Sequence, residues 1–132
     1  MTGSAVYRYN SPTYRTGVSP RALRHYEELG LLPARRASNG YRAYDGEDLR
    51  AVSEIRMLVG LGLSLEETRP FVECLRAGHP TGGSCLDSIA VYRQKLAEVD
   101  ASLARLSAVR AELAEQLDQA VRARCQFTME ET

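Results

Sequence analysis

The sequence contains no tryptophan, two phenylalanines and no long run of apolar residues. Without such a run, a membrane-spanning helix is not expected. The first residues also lack the apolar segment of a secretory signal peptide. We therefore expect a soluble, cytoplasmic protein with no membrane partner.

Cysteine and histidine are also scarce. Cys74, Cys85 and Cys125 are an odd, widely spaced set, which is typical of neither a secreted disulfide framework nor a paired-cysteine zinc site. His25 and His79 lie in no recognisable nucleophile motif, and the sequence has no Gly-rich phosphate loop. We expect no enzymatic activity, no catalytic residue and no obligatory cofactor.

The chain has no net charge, because 17 basic residues balance 17 acidic ones. Residues 1–44 nevertheless carry a net charge of +5, since they contain seven arginines and only two glutamates. A guanidinium can bind phosphate oxygens or a guanine edge through two N–H groups at once. Nucleic acid is the expected partner. The alternative, surface salt bridges on an ordinary small domain, would need more acids nearby.

Residues 17–44 contain the signals of a short helix followed by a hairpin. Ser19 and Pro20 predict a helix start, and Gly30 predicts its end. Apolar residues recur along it every three or four positions, which leaves a separate face for Arg21, Arg24 and His25. Asn39-Gly40 lies between Arg- and Tyr-bearing arms and predicts a two-residue hairpin turn. This order is typical of a winged helix-turn-helix.

Further helices are predicted on both sides of this stretch. Ser11-Pro12 predicts a short helix over residues 12–16. Asp45 predicts the cap of a helix that ends at Gly60 or Gly62 and has an apolar stripe: Leu49, Val52, Ile55, Met57, Leu58 and Val59. Ser64 caps the next helix, in which Pro70 should cause a bend or a local break. Its predicted core residues are Leu65, Phe71, Val72 and Leu75.

Residues 77–84 have three glycines, a proline and no apolar pattern, and they predict a linker. A heptad seam follows, with steps of three and four residues: Ile89, Tyr92, Leu96, Val99, Leu103, Leu106, Arg110, Leu113 and Leu117. Because one helix cannot bury such a seam on itself, a coiled coil between two copies is expected. The alternative is a helix that folds back on its own domain. Arg110 interrupts the seam, and we expect it to pair with an acid across the dimer.

Three motifs occur in fixed order: SPRALRHYEELGLL, then NGYRAY, then IRMLVGLGLSLEE. Together they resemble the N-terminal domain of the MerR family of bacterial transcription regulators, over Gly17 to about Leu75. The resemblance implies a mainly α fold, with a winged helix-turn-helix, a small β-hairpin wing and a long C-terminal antiparallel coiled-coil dimerisation helix. The implied domains are residues 1–76 for DNA binding, 77–84 as linker, 85–121 as dimerisation helix and 122–132 as a tail in which an effector could act.

The same resemblance implies the function and the partners. The protein would bind a pseudo-palindromic double-stranded promoter as a homodimer and distort it for RNA polymerase. The residues that match family positions at the DNA are Ser19, Arg21, Arg24 and Tyr26 in the helix, and Arg36, Asn39, Tyr41 and Arg42 in the wing. We expect Arg24 to be essential and the wing to contact phosphates. The competing hypothesis is a coiled-coil adaptor that has lost DNA binding.

The use of the cysteines stays open at this point. A turn in the linker could bring Cys74 and Cys85 to disulfide distance, which would suit a redox or thiol-reactive signal. Family metal sensors pair a cysteine at the Cys85 position with ligands beyond the helix. Cys85 and a partner copy's Cys125 could therefore bind a metal ion, with His79 or Cys74 as additional ligands. In a third interpretation, Cys74 and Cys85 are small buried apolar side chains and Cys125 is incidental. In a fourth, the effector is a small organic molecule.

Overall fold

The computed structural model describes residues 16–38, 40 and 43–130, with side chains described as far as Gln126. The helices that lie wholly within these residues are α1 (Pro20–Glu28), α2 (Gly46–Gly60), α3 (Arg69–Arg76) and α4 (Leu86–Glu130). A 3-10 turn, Glu66–Thr68, precedes α3. The helix predicted over residues 12–16 falls outside the described residues, except for Thr16. The mainly helical prediction is confirmed.

The chain forms two compact units, Met1–Tyr92 and Arg93–Thr132. The core of the first unit contains two clusters of buried apolar side chains. The larger cluster is Val18, Leu23, Tyr26, Leu31, Leu32, Ala51, Val52, Ile55 and Val72. The smaller cluster is Leu58, Leu63 and Phe71, with Val91 of α4 packed against it. The ring of Tyr92 also meets Phe71 edge-on, with ring centroids 4.8 Å apart. The first turns of α4 therefore belong to this unit.

The predicted apolar stripe of α2 is too broad. Val52, Ile55 and Leu58 are fully buried, as predicted, but Met57 and Val59 are 44% and 42% exposed. Each of these two residues is a direct neighbour of Leu58 in sequence, so it lies about 100° away around the helix. The core side of α2 is narrow, and both side chains fall beyond its edge.

The predicted caps of α1 and α2 are confirmed. Ser19 Oγ accepts a hydrogen bond from Ala22 N at 3.2 Å, and α1 begins at Pro20. Asp45 Oδ1 accepts from Asp48 N at 2.8 Å, while Asp48 Oδ2 accepts from Asp45 N at 3.0 Å. This reciprocal pair is a capping box, which satisfies two backbone donors that the helix itself leaves free.

The region around Pro70 begins a helix and does not bend one. Ser64 and Glu67 form the predicted reciprocal cap, with bonds of 2.9 and 3.2 Å. The chain then makes the 3-10 turn, and α3 starts with Pro70 in its first turn, where the missing N–H is tolerated. The predicted position of Pro70 inside a helix is therefore wrong, because the 3-10 turn and α3 are separate elements and Pro70 lies at the start of the second. Of the four predicted core residues, Phe71 and Val72 are buried, whereas Leu65 and Leu75 are half-buried.

The segment predicted as a linker is mostly exposed, but it is fixed to the first unit at Gly82, its one buried residue. Ser88 Oγ, buried in the first turn of α4, donates a 2.6 Å hydrogen bond to Gly82 O. A Cβ on Gly82 would lie 2.7 Å from Glu54 Oε1 and 2.9 Å from Phe71 O. Only a residue without a side chain fits there. Residues 77–84 therefore hold α3 and the start of α4 together.

Helix α4 extends past its predicted end at Val121, through the region predicted as a tail, to Glu130. In its second-unit part, the apolar side chains of the predicted seam are exposed, from 46% at Val99 to 66% at Leu117. Among the described helices, none is both long enough and apolar enough to cross a membrane. Helix α4 has the length, but charged residues recur along it.

Candidate nucleic-acid interface

Helix α1 separates a buried side from a basic side. Leu23 and Tyr26 are buried in the larger cluster, whereas Ser19, Arg21 and Arg24 are exposed. Arg21 and Arg24 are three positions apart, so they are neighbours on the helix surface. Neither forms an ion pair with another residue in the part of the chain that the structure describes. Both guanidinium groups are therefore available to an external anion.

Tyr26 has a different environment from the arginines beside it. Only 7% of its surface is exposed. Burial raises the pKa of its phenol, and the positive charge of Arg56 opposes this only in part. The ring is a core residue, as the apolar spacing predicted. Tyr26 lies on the buried side of α1, whereas Arg24 lies on the exposed side. The interface that we propose therefore does not include a DNA contact from Tyr26.

His25 also lies on the exposed side of α1. Its Nδ1 is 3.6 Å from Glu28 Oε2, one helical turn further on. With Ser19, Arg21, Arg24 and Glu28 it lines a shallow groove along the helix. The groove therefore contains the guanidinium groups of Arg21 and Arg24, and the carboxylate of Glu28 lies at one end.

The described part of the wing shows a turn that is shifted from the prediction. Gly40 N donates to Ala37 O at 2.9 Å, so Gly40 is the fourth residue of the turn, and its φ of +85° is in the left-handed region. This turn ends one residue earlier than the two-residue Asn39-Gly40 turn that we predicted, in which Gly40 would be the third residue. Ala43 N donates to Arg35 O at 2.9 Å and joins the two arms.

Arg36 is the predicted wing residue whose side chain is described. It is exposed, and its Nη1 donates to Gly40 O at 3.0 Å, which holds the guanidinium beside the turn. The other three predicted wing residues, Asn39, Tyr41 and Arg42, lie outside the described residues. Their DNA contacts remain predictions from sequence.

A buried carboxylate that the sequence analysis missed anchors the wing. Asp48 is 0% exposed and accepts from Arg35 at 2.7 Å and from Arg76 at 3.1 Å. Arg35 also lies 3.0 Å from Asp45 Oδ2. The pKa of Asp45 is lowered, first by the backbone hydrogen bond from Asp48 and then by Arg35. Arg35 therefore forms internal ion pairs, although we had grouped it with the basic residues that face nucleic acid. The capping-box spacing of Asp45 and Asp48 was the available sequence signal.

Two further contacts fix α1 relative to its neighbours. Tyr44 Oη, in the second arm of the wing, donates to Glu27 Oε1 at 2.6 Å. Arg69 in α3 donates to Leu29 O at the end of α1, also at 2.6 Å. Both bonds lie on the core side of α1. They hold the helix without using the exposed guanidinium groups of Arg21 and Arg24.

A second group of candidate residues lies at the junction of α3 and α4. Cys74 and Cys85 form a disulfide with a Cα–Cα distance of 6.0 Å, which confirms the predicted closeness of this pair. His79 joins them, since the ligand atoms of all three lie within 4.8 Å of one another. Cys125 is a free, exposed cysteine on α4 in the second unit. The structure thus brings two of the three predicted cysteines together.

Two family models match the chain over the elements just described. One, described as MerR HTH family regulatory protein, matches residues 14–73, and the other, described as MerR, DNA binding, matches residues 49–116. The chain belongs to the MerR family. The predicted resemblance is therefore confirmed, and the chain has the fold of a MerR-type DNA-binding transcriptional regulator.

Several known proteins are similar in sequence. The nodulation protein NolA of Bradyrhizobium elkanii is 38% identical over 96 residues, which cover 72% of this chain and 39% of NolA. NolA of Bradyrhizobium sp. (strain NC92) is 51% identical over 55 residues, or 41% of this chain and 23% of NolA. The chain thus spans less than half of these NolA proteins. The regulator HmrR of Rhizobium leguminosarum bv. viciae is 29% identical, over 73% of this chain and 72% of HmrR.

Solved MerR structures share the fold. HiNmlR, a MerR family regulator lacking the sensor domain and bound to promoter DNA, matches with a TM-score of 0.51 and 27% identity, over 73% of this chain and 71% of HiNmlR. A MerR family regulator from Listeria monocytogenes matches with a TM-score of 0.53, over 92% of this chain and 96% of the other. At 23% identity, this second match shows the fold alone.

Proposed function

We propose that this MerR-family protein binds a pseudo-palindromic promoter as a homodimer and distorts the DNA to control transcription. The observation that carries the proposal is the division of α1 into a buried side and an exposed side with two arginines that form no ion pair within the described residues. A helix held by its core side and free on its basic side is suited to the major groove. It would act in the cytoplasm, with RNA polymerase at the promoter.

The proposed contacts differ in kind. Arg24 and Arg21 would reach base edges or the phosphates beside them, and Ser19 would contact a phosphate near the helix start. Arg36 would bind phosphate from the wing, together with Asn39, Tyr41 and Arg42, which the sequence places there. HiNmlR, whose structure contains promoter DNA, supports this use of the shared fold.

The homodimer is proposed from the seam of α4. Its large apolar side chains are exposed in the second unit, and a heptad seam of this kind is buried when two copies pair. An antiparallel pair would contain the basic side of α1 twice, once from each chain. Two such sides are what a pseudo-palindromic site requires.

The adaptor hypothesis differs from this proposal in one respect. An adaptor without DNA binding would use the same exposed seam, so the seam does not separate the two functions. The two exposed arginines of α1 favour the regulator, because an adaptor gains nothing from them. We propose no enzymatic activity, since the family consists of transcription regulators.

The test is binding to duplex DNA by the parent and by Arg24→Ala. A duplex is first selected by the parent from a random-sequence library, and affinity is then measured by fluorescence anisotropy. Loss of one base-contacting arginine costs about 1–3 kcal/mol, so we expect affinity to fall about 5- to 150-fold. Arg122→Ala, which removes an exposed cation that is paired with Asp118, is the matched control and should leave affinity unchanged. Equal affinity of Arg24→Ala and the parent would refute the assignment.

A further inference from the structure

Three ligand side chains converge where α3 meets α4. Helix α3 is followed by Gly78, whose φ of +95° turns the chain, and His79 N donates to Cys74 O at 3.3 Å. This turn returns His79 to the buried cysteine of α3. Cys85 comes just before α4, and its carbonyl accepts from Ile89 N at 3.0 Å in the first helical turn. The two cysteines and the histidine therefore come from three different local structures.

The spacing of these residues fits a tetrahedral metal ion. Zn–S bonds of about 2.3 Å and Zn–N bonds of about 2.0–2.1 Å place neighbouring ligand atoms about 3.6–3.8 Å apart. In the structure the three ligand atoms lie within 4.8 Å of one another. Side-chain shifts of about 1 Å would complete the geometry once the disulfide is reduced. The backbone needs no rearrangement, because a Cα–Cα distance of 6.0 Å suits both states.

The surroundings favour a thiolate at Cys85 but not at Cys74. Cys85 is at the amino end of α4, where the helix dipole favours a negative charge. Cys74 is only 3% exposed, so its thiolate would be costly without a cation beside it. Its Sγ lies 3.5 Å from Thr81 O, and the neighbouring Ser84 hydroxyl donates to that same carbonyl oxygen, so neither group stabilises a thiolate. A divalent ion would neutralise both sulfur charges.

We propose that Cys74, His79 and Cys85 of one chain bind Zn²⁺ when the disulfide is reduced. A low-molecular-weight thiol supplies two electrons and two protons, which gives two cysteine thiols and the oxidised disulfide of the reductant. The two thiols then release two protons as they bind the ion, and neutral His79 is the third ligand. With three protein ligands, the fourth position stays open to water. This site goes beyond the proposed DNA binding and does not depend on it.

The disulfide and the metal exclude each other, because both use the same two sulfur atoms. Either one closes a ring that joins the end of α3 to the start of α4. The site differs from one shared between two copies through Cys125, because all three of its ligands belong to one chain. Cys125 therefore supplies a control.

The test is Zn²⁺ binding by the full-length protein without DNA, so that it can fail independently of the proposed function. Reduced, chelator-treated protein is titrated with Zn²⁺ alone in competition with a chromophoric chelator. We expect one ion per chain for the parent and for Cys125→Ser, and none for the protein with its disulfide intact. Cys85→Ser and His79→Ala should each weaken binding at least tenfold. Cys74→Ser should do so as well, with its helical content checked by circular dichroism.

The outcomes that would overturn the proposal are equally specific. The reduced parent could bind no Zn²⁺, or Cys125→Ser could lose as much affinity as Cys85→Ser. His79 is exposed, so His79→Ala should fold normally, and its unchanged affinity would contradict the three-ligand set. Because this variant does not disturb the core, the proposal remains testable even if Cys74→Ser is unstable.

Discussion

Asp48→Ala should destabilise the first unit far more than any neighbouring surface change. The carboxylate is 0% exposed and accepts from Arg35, Arg76 and the backbone N–H of Asp45, at 2.7, 3.1 and 3.0 Å. Removing one partner from a buried ion pair costs about 3–5 kcal/mol. Here the two arginine side chains are 48% and 30% exposed, so water can solvate them after the loss. We therefore expect a loss of about 2–4 kcal/mol in the free energy of unfolding.

Urea unfolding followed by circular dichroism would measure this loss. Protein concentration must be held constant, because association of two copies adds to the apparent stability. Glu47→Ala is the matched control. Glu47 is an exposed acid in the same helical turn, whose interaction with the helix dipole is worth about 0.3–1 kcal/mol. If Asp48→Ala cost no more than Glu47→Ala, the buried network would not anchor the wing and our reasoning would be wrong.

Three further predictions follow from packing, association and pH. Gly82→Ala should cost about 1–3 kcal/mol in urea unfolding, because its Cβ would meet a carbonyl oxygen at 2.9 Å, whereas Gly60→Ala has open space and should cost nothing. Leu103→Glu should shift sedimentation toward monomer, whereas Ala101→Glu, on the opposite side of α4, should not; equal behaviour would contradict the seam. The pKa of Asp45 is lowered from 3.8 in the folded state, so its stabilising contribution is present above pH 3.8 and is lost as the pH falls further. Asp45→Asn should therefore unfold with a weaker pH dependence in this acidic range, and an unchanged dependence would count against the cap.

Features set by a few consecutive residues were predictable from the sequence. Ser19 and Asp45 cap the helices that they were expected to cap, and Ser64 forms its predicted reciprocal bonds with Glu67, since such bonds depend only on residues up to three positions away. The left-handed Gly30, with a φ of +75°, follows α1 for the same reason. The order of the helices and the wing could also be predicted, because three sequence motifs resemble those of the MerR family.

Features that depend on distant residues were missed. The ion pairs of Asp48 with Arg35 and Arg76 join positions 13 and 28 residues apart, and no local pattern indicates them. Residues 77–84 read as a linker because their composition is typical of loops. The segment is nevertheless fixed at Gly82, which lies against side-chain and backbone atoms of α2 and α3. Composition describes the conformational freedom of a segment, but it does not show what the segment contacts.

The central claim is that two copies of the chain present the basic side of α1 to one DNA duplex. Sedimentation velocity of the protein with its selected duplex, at about 50 mM salt to retain phosphate contacts, measures this stoichiometry directly. We predict two chains per duplex and a homodimer in the absence of DNA. A monomer on the duplex, or a homodimer that does not associate with any duplex at this salt concentration, would contradict the claim.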